Sequence, residues 1–196
     1  MKIIYIHGFN SGGVGNDKAL MLADYFGSHN VQAPNLPHTP DAAIAVLKDL
    51  IDGHRDADGA IPTDLILVGT SLGGFYTHYL SKTYGIKCVL INPSTDPIYT
   101  MSKHVGHHTN FATGVEYDLT DADIRELAKY YHVTFTPHVP TIVCLDMADD
   151  VIDPNVALAA FAGSAQLLTF EGGTHRFTNM IHVLPHISAL EHVIYQ

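Results

Sequence analysis

The chain has 196 residues, 46% of them hydrophobic and 15% charged, and its formal net charge is -10 at pH 7. This composition is typical of one compact domain covering 1–196, and it excludes a disordered chain. The negative charge disfavours nucleic acid or an anionic membrane surface as a partner, and no segment has the roughly 18 consecutive apolar residues of a membrane-spanning helix.

Short apolar segments alternate with helical patterns along the whole chain. The predicted strands are Lys2–His7, Asn30–Ala33, Asp64–Gly69, Lys87–Asn92, Thr141–Asp146 and Gln166–Phe170. The predicted helices are Lys18–Phe26, Asp41–Leu50, Ser71–Thr83, Asp121–Tyr131, Asn155–Phe161 and Asn179–Ile194, the last with a kink at Pro185. Continuously apolar strands joined by helices predict a mostly parallel, doubly wound α/β sheet of about six strands with flanking helices.

Two features of the sequence bear on the compartment. The first strand starts at the amino terminus, without the apolar core or the cleavage site of a secretion signal. Cys88 and Cys144 both lie in apolar segments typical of buried strands, which favours two reduced core thiols. We therefore expect a cytoplasmic protein.

The third predicted strand is followed by Gly69-Thr70-Ser71-Leu72-Gly73, a G-x-S-x-G pattern between a strand and a helix. In that setting the pattern predicts a nucleophile elbow, a strained turn that lifts a serine hydroxyl clear of the sheet edge. The glycines are needed where strand and helix pass so closely that a Cβ would clash. Ser71 is the predicted nucleophile.

The loops after the last two strands supply a candidate acid and a candidate base. A serine nucleophile needs a base, and the α/β-hydrolase order along the chain is Ser, acid, His. His175 follows the last strand after Gly172-Gly173, whose backbone freedom allows the imidazole to turn toward Ser71. Because the carboxyl ends of parallel strands meet at one edge of a sheet, we expect these groups to lie together.

Four aspartates lie near the position of the acid. Asp146 is expected to end its strand, and Asp153, before a proline, is typical of a helix cap. Asp149 is preferred to Asp150 because Val151 and Ile152 then follow at a spacing typical of the acid loop. The sequence predicts Asp149, with Asp150 as the alternative.

An oxyanion hole requires two backbone donors. The N–H of Leu72, next to the nucleophile, is the first predicted donor. The second is expected in the loop after the first strand, where Gly8 permits a close approach and Phe9 is the predicted donor. Each donor lowers the barrier by about 3 kcal/mol.

A long connection, roughly 93–140, interrupts the alternation and contains one predicted helix. Long insertions often form lids or binding loops, and a structural cap over the sheet is the alternative. His104, His107 and His108 lie in this insertion without a cysteine or carboxylate at ligand spacing. They are predicted to be solvated loop residues, and we expect no metal and no cofactor.

Several segments together resemble a known family. They are Tyr5–Ser11, Gly69–Phe75, Asn92-Pro93, Asn110, Thr113-Gly114, Tyr117, Leu119, Asp149–Asp153 and Glu171–Phe177. They are similar to the YqiA/YcfP-like esterases of the α/β-hydrolase superfamily over nearly the whole chain. The resemblance implies hydrolysis of a small-molecule carboxylic ester, with Ser71 as nucleophile, Asp149 as acid and His175 as base.

The expected activity is that of a serine carboxylesterase acting on small acyl esters through an acyl-enzyme. The same machinery serves thioesters, lactones or amides, so these stay open as substrates. The non-enzymatic alternative is a catalytically silent α/β-hydrolase fold that binds a ligand or a partner, because a fold alone does not determine a function. Such proteins usually lose one of the three catalytic residue types, and this chain retains all three.

Overall fold

The computed structural model describes residues 1–131 and 137–193. Eight strands lie in these residues: β1 (Lys2–Ile6), β2 (Val31–Gln32), β3 (Leu65–Thr70), β4 (Lys87–Ile91), β5 (Gly106–Thr109), β6 (Glu116–Leu119), β7 (Thr141–Asp146) and β8 (Gln166–Phe170). Six of them form one parallel sheet in the order β2-β1-β3-β4-β7-β8. Strands β5 and β6 form a separate antiparallel hairpin.

Seven α-helices lie in the same described ranges: α1 (Asp17–Phe26), α2 (Pro40–Asp52), α3 (Leu72–Tyr84), α4 (Pro97–Ser102), α5 (Asp121–Glu126), α6 (Pro154–Phe161) and α7 (Met180–Glu191). The longest of them, α2 and α3, have 13 residues each. A bilayer takes a helix of about 20 residues. Across the described residues, no helix is long and apolar enough to cross a membrane.

Both faces of the sheet are buried because side chains alternate between the faces along each apolar strand. In β1, Ile4 and Ile6 join residues of α2, α3 and α6 in one apolar cluster. Ile3 and Tyr5 join residues of α1 and α7 in the cluster on the other face. Each fully buried aliphatic side chain contributes about 1.5–3 kcal/mol relative to exposure. The predicted doubly wound, mostly parallel sheet of about six strands is confirmed.

The two cysteines lie in neighbouring strands but on opposite faces of the sheet. Cys88 belongs to the cluster with α3, and Cys144 to the cluster with α7. Both are buried and unpaired, as the sequence predicts. Burial raises the pKa of each thiol, so both stay neutral and behave as small apolar side chains.

Most element boundaries differ from the prediction by one or two residues. Strand β2 is shorter than the predicted Asn30–Ala33, because Asn30 belongs to a 3-10 turn after α1. Helix α5 stops at Glu126, and a 3-10 turn, Leu127–Tyr130, replaces the rest of the predicted helix. Helix α7 ends at Glu191, before the predicted Ile194, which itself lies outside the described residues; Pro185, where the sequence predicts a kink, lies inside the helix.

The insertion at 93–140 contains more regular structure than the sequence predicts. Besides α5 it holds α4 and the hairpin of β5 and β6, in which Gly106 pairs with Leu119 and Thr109 with Glu116. The β5 sequence, Gly-His-His-Thr, has no apolar alternation, so the usual signal of a strand is missing. Backbone pairing across the hairpin forms these strands without a continuous apolar face.

Candidate active site

The candidate nucleophile occupies the single residue between β3 and α3. Ser71 has φ 56° and ψ -122°, a conformation that costs an L-residue about 1–3 kcal/mol. Backbone hydrogen bonds hold it: its N–H donates to the Ile91 carbonyl over 3.0 Å. Its own carbonyl accepts from the N–H groups of Gly74 at 2.9 Å and Ser94 at 3.0 Å. The surrounding chain therefore imposes the strained turn that the sequence predicts.

Two glycines allow the elbow to form. A Cβ on Gly69 would overlap the backbone of Gly73 and the hydroxyl of Thr77 in α3. A Cβ on Gly73 would overlap the carbonyl oxygens of Ile6 and His7 at the end of β1. The start of α3 thus passes within backbone contact of two strands, in agreement with the close approach inferred from the sequence.

His175 lies between the candidate nucleophile and the candidate acid. Its Nε2 is 2.9 Å from Ser71 Oγ, and its Nδ1 is 2.8 Å from Asp149 Oδ2. A carboxylate only accepts, so Nδ1–H donates to Asp149 and Nε2 is left to accept from the serine hydroxyl. The preceding glycines, Gly172 and Gly173, both have positive φ, at 75° and 77°. Their conformation supplies the bend that the glycine pair predicts.

Asp149 is almost fully enclosed, and both of its oxygens are in use. Its side chain is 2% exposed. While Oδ2 accepts from His175, Oδ1 accepts from the backbone N–H groups of Val151 at 2.8 Å and Ile152 at 2.9 Å. Three hydrogen bonds thus fix the orientation of the carboxyl group. The spacing that favours Asp149 in the sequence corresponds to this loop geometry.

The neighbouring aspartates have other contacts. Asp150 is exposed and accepts from the backbone N–H of His175 at 3.2 Å, a hydrogen bond that lowers its pKa. Asp146 is fully buried and accepts from the backbone N–H of Thr178 at 2.9 Å. Asp153 caps α6. Of the four candidates, Asp149 is the one hydrogen-bonded to the imidazole ring.

Asn92, which follows β4, is a site residue that the sequence reasoning did not assign a role. Its side chain is buried, and its φ is 40°. Oδ1 accepts from the N–H of Asp146 at 2.9 Å, while Nδ2 donates to the carbonyls of Thr174 at 3.1 Å and His175 at 3.3 Å. An asparagine directly after a strand, where its tolerance of positive φ is useful, is the signal that points to it. The amide therefore links β7, the strand before the candidate acid, to the loop that contains the candidate base.

The loop after β1 passes beside the nucleophile. A Cβ built on Gly8 would lie 3.1 Å from Ser71 Cβ, so glycine permits this approach. Phe9 and Leu72, the predicted oxyanion donors, both line the cavity next to Ser71. Throughout the described ranges, neither backbone N–H donates to a protein acceptor. Both N–H groups are free to bind a ligand oxygen.

The side chain of His7 stabilises that loop through two hydrogen bonds. It is buried, its Nδ1–H donates to the Gly8 carbonyl over 2.8 Å, and its Nε2 accepts from the N–H of Leu36 over 3.0 Å. Burial lowers its pKa, in agreement with an acceptor role that only the neutral ring can fill. His7 therefore fixes the backbone just before Phe9.

A cavity of about 380 Å³ opens at Ser71. Apolar side chains form much of its wall: Phe9, Leu72, Met101, Val151 and Ile152. The insertion contributes α4 and the residues just after it, including His104. The insertion therefore forms one wall of this cavity.

The insertion histidines differ from the prediction of solvated loop residues. His104 and His108 are half-buried, and each ring centroid lies 5.2 Å from that of Phe9. His107 is exposed, but it lies in β5 and pairs with Asp118 at 3.0 Å. The prediction is wrong for His104 and His108, because the turn after α4 and strand β5 bring them against a side chain distant in sequence.

The parallel sheet, the elbow after β3 and the turns that carry acid and base define an α/β-hydrolase fold, as predicted. The solved Est1E from Butyrivibrio proteoclasticus with bound ferulic acid is 16% identical, with a TM-score of 0.71 over 95% of this chain and 86% of that chain. The monoacylglycerol lipase of Paleococcus ferrophilus is 13% identical, with a TM-score of 0.69 over 96% and 93%. These likenesses establish the fold.

The chain belongs to the family described as "Uncharacterised protein family (UPF0227)", whose model matches residues 2–192. A UPF0227 protein of Shewanella sp. (strain MR-4) is 22% identical over 190 residues, covering 96% of this chain and 98% of that protein. One from Pasteurella multocida (strain Pm70) is 23% identical over 193 residues, with the same coverage. The predicted YqiA/YcfP-like resemblance is confirmed.

Proposed function

We propose that this protein is a serine esterase that hydrolyses small acyl esters through an acyl-enzyme intermediate. The observation that carries the proposal is the continuous line of hydrogen bonds from Ser71 through His175 to Asp149. The names of structural neighbours support it, since they include an esterase with bound ferulic acid, a monoacylglycerol lipase and an esterase domain from Rhodothermus marinus.

In the first half-reaction, neutral His175 accepts the hydroxyl proton through Nε2 as Ser71 Oγ attacks the ester carbonyl carbon. The carbonyl π bond breaks, and the resulting oxyanion accepts hydrogen bonds from the N–H groups of Phe9 and Leu72. The imidazolium then gives its proton to the leaving alkoxide as the carbon–oxygen bond breaks. The alcohol departs and leaves an acyl-serine.

In the second half-reaction, water replaces the alcohol. His175 removes a proton from the water, the hydroxide adds to the acyl carbon, and the same two N–H groups stabilise the oxyanion. Collapse returns the proton to Ser71 and releases the carboxylic acid. Asp149 holds the imidazole tautomer and stabilises the imidazolium in both halves. Protein groups and water suffice for every proposed step, so we propose no metal and no cofactor.

Substitution of the nucleophile tests the proposal. We expect Ser71→Ala to lower kcat on p-nitrophenyl acetate and butyrate by at least about a thousandfold, and to abolish labelling by a fluorophosphonate. Ser102→Ala is the matched control, since Ser102 is an exposed serine of α4 outside the cavity lining. Equal rates of ester hydrolysis by the wild type and Ser71→Ala would contradict the proposed esterase function.

The proposed machinery can act on thioesters and amides as well as on esters. Comparing the rates on thioesters, amides and esters of the same acyl groups therefore shows which kind of acyl hydrolase this protein is. An acyl-chain-length series then measures what the cavity admits. If the wild type neither hydrolyses these substrates nor reacts with the fluorophosphonate, the catalytically silent binding protein becomes the favoured function.

A further inference from the structure

The cavity beside Ser71 differs in charge from the rest of the protein. The whole chain has 10 lysines and arginines against 20 acidic residues. Three of these cations, Lys18, Lys103 and Arg176, line the cavity. In the described part of the chain, Asp17 is the one carboxylate that lines it with them. An acidic protein thus places a net positive wall around its candidate nucleophile.

Lys18 is the cation most enclosed by this wall. It is the second residue of α1 and half-buried, whereas Lys103 and Arg176 are exposed. Within the described residues, its ammonium group forms no hydrogen bond and no ion pair. Burial lowers its pKa, and Arg176 lowers it further, while Asp17 and Asp146 act in the opposite direction. A half-buried cation without a direct partner is costly unless something binds it.

The two nearby carboxylates are occupied elsewhere. Asp17 lies 3.5 Å from the guanidinium of Arg176. Asp146 is fully buried and accepts from the Thr178 N–H at 2.9 Å and from Asn179 Nδ2 at 2.6 Å. Neither carboxylate forms an ion pair with Lys18. Within the described residues, the ammonium therefore has no direct anionic partner, although both carboxylates act on it from a distance.

Four hydroxyl groups of the cavity wall are paired with one another. Tyr5 Oη lies 3.3 Å from Thr70 Oγ1, and Ser94 Oγ lies 2.9 Å from Thr100 Oγ1. With those hydroxyl groups paired, Lys18 is the half-buried cation of the wall that is available to a ligand. The apolar wall provides space for the carbon chain, and Lys18 provides a charge.

The two outer cations act over a longer range. Arg176 has an 86% exposed side chain, and the Lys103 ammonium lies 4.0 Å from the centroid of the Tyr99 ring. At physiological salt, exposed charges act over about 8 Å, which is sufficient to attract an anion to the cavity mouth. The outer cations would attract the same charged ligand that Lys18 would bind inside the cavity.

We propose that the ester cleaved at Ser71 carries an anionic group, a carboxylate or a phosphate, which pairs with Lys18 inside the cavity. Lys103 and Arg176 attract this anion to the mouth. The proposal rests on the esterase function proposed above and specifies its substrate class. Ser71 needs no anion for its chemistry, so Lys18 is a specificity residue and neutral esters remain substrates at lower efficiency.

Matched pairs of esters measure the preference and identify the source of the anion. On the acyl side, the p-nitrophenyl monoester of adipic acid is compared with p-nitrophenyl heptanoate. On the alcohol side, para-acetoxybenzoate and para-acetoxyphenyl phosphate are compared with neutral para-acetoxybenzamide. The anionic-to-neutral ratio of kcat/KM is the readout, because a general loss of activity leaves that ratio unchanged.

We expect Lys18→Met to reduce this ratio by about tenfold to a hundredfold in at least one arm, the effect of one hydrogen bond to a charged group. Lys18→Arg should retain the preference, since it keeps the charge. Lys48→Met is the matched control: Lys48 is a half-buried lysine of α2 outside the cavity, and its loss changes the net charge equally. An unchanged ratio in Lys18→Met, or no anionic preference in the wild type, would overturn the proposal.

Ligand binding to a catalytically inactive variant tests the anion site independently of the esterase activity. In a Ser71→Ala background, monomethyl adipate should bind at least about tenfold more weakly when Lys18→Met is added, as measured by calorimetry. If the wild type hydrolyses no ester while this difference persists, the esterase fails and the anion site stands. If neutral esters are hydrolysed but the two affinities are equal, the esterase stands and the anion site is rejected.

Discussion

At the scale of the residue, Asp149 can be distinguished from Asp150 by what each carboxylate accepts. Asp149 accepts from the imidazole and from two backbone N–H groups, whereas Asp150 accepts from the His175 backbone. An asparagine at 149 can keep the backbone contacts through its oxygen, but it presents an NH₂ group to Nδ1. The imidazole would then carry its proton on Nε2 and could not accept from Ser71.

This difference gives a sharp prediction for the two substitutions. We expect Asp149→Asn to lower kcat on p-nitrophenyl acetate by about ten-thousandfold with little change in thermal stability. Asp150→Asn should lower it by less than about tenfold, because an exposed carboxylate contributes little. Steady-state kinetics with circular dichroism melts measure both effects. The assignment of the acid fails if Asp150→Asn proves to be the more damaging change.

At the scale of the element, the side chain of Asn92 links the carboxyl ends of three strands. From the end of β4 it forms hydrogen bonds with the last residue of β7 and with the loop after β8. Because the last of these contacts is to the His175 carbonyl, we expect the amide to position the candidate base from outside the cavity lining. Its removal should therefore change both the stability of the fold and the position of the imidazole.

Two substitutions separate the amide from the backbone conformation. Asn92→Gly tolerates φ 40° but loses three hydrogen bonds, so we expect the free energy of unfolding to fall by about 1–3 kcal/mol. Asn92→Ala should cost about 1 kcal/mol more, since alanine is strained at positive φ. For Asn92→Gly, kcat should fall while KM changes little. A glycine variant with wild-type stability and kcat would exclude a positioning role.

The strands of the parallel sheet and those of the hairpin differ in how clearly their sequences predict them. The strands of the parallel sheet are continuously apolar because both faces are buried, and this pattern can be detected without a structure. Strands β5 and β6 depend on pairing with each other, and their polar residues give no periodic signal. The contact of His108 with Phe9 involves that hairpin, and the contact of His104 follows from the turn before it, so neither could be predicted.

At the scale of the whole molecule, the topology explains why the three candidate residues could be located from the sequence. Parallel strands bring their carboxyl ends to one edge, so a serine, an aspartate and a histidine after three such strands must lie near one another. The same argument places Asn92 at this edge but gives it no role, and it does not reach Lys18, which lies at the start of α1. Their importance follows from side-chain contacts and local charge, which depend on packing between elements distant in sequence.

Global stability should depend on pH through His7. Its folded pKa is lowered from 6.5 by burial, so the unfolded chain binds this proton more readily than the folded one. The free energy of unfolding therefore falls as the pH drops below about 6.5 toward the lowered folded pKa, and it is retained above that range. The imidazolium would also lose the hydrogen bond that Nε2 accepts from Leu36.

A glutamine at position 7 retains a donor and an acceptor but does not titrate. We expect urea unfolding of His7→Gln to show a smaller loss of free energy between about pH 7.5 and about pH 5.5 than the wild type shows. The measurement at the higher pH gives the cost of the substitution itself. Equal losses in the two proteins would mean that His7 is not the titrating group.

The packing of Phe9 against the hairpin has a consequence for how members of this family can diverge. The ring that His104 and His108 contact belongs to Phe9, whose backbone N–H is a predicted oxyanion donor. Because the insertion contacts both the cavity and Phe9, we expect changes in it to alter turnover as well as substrate choice.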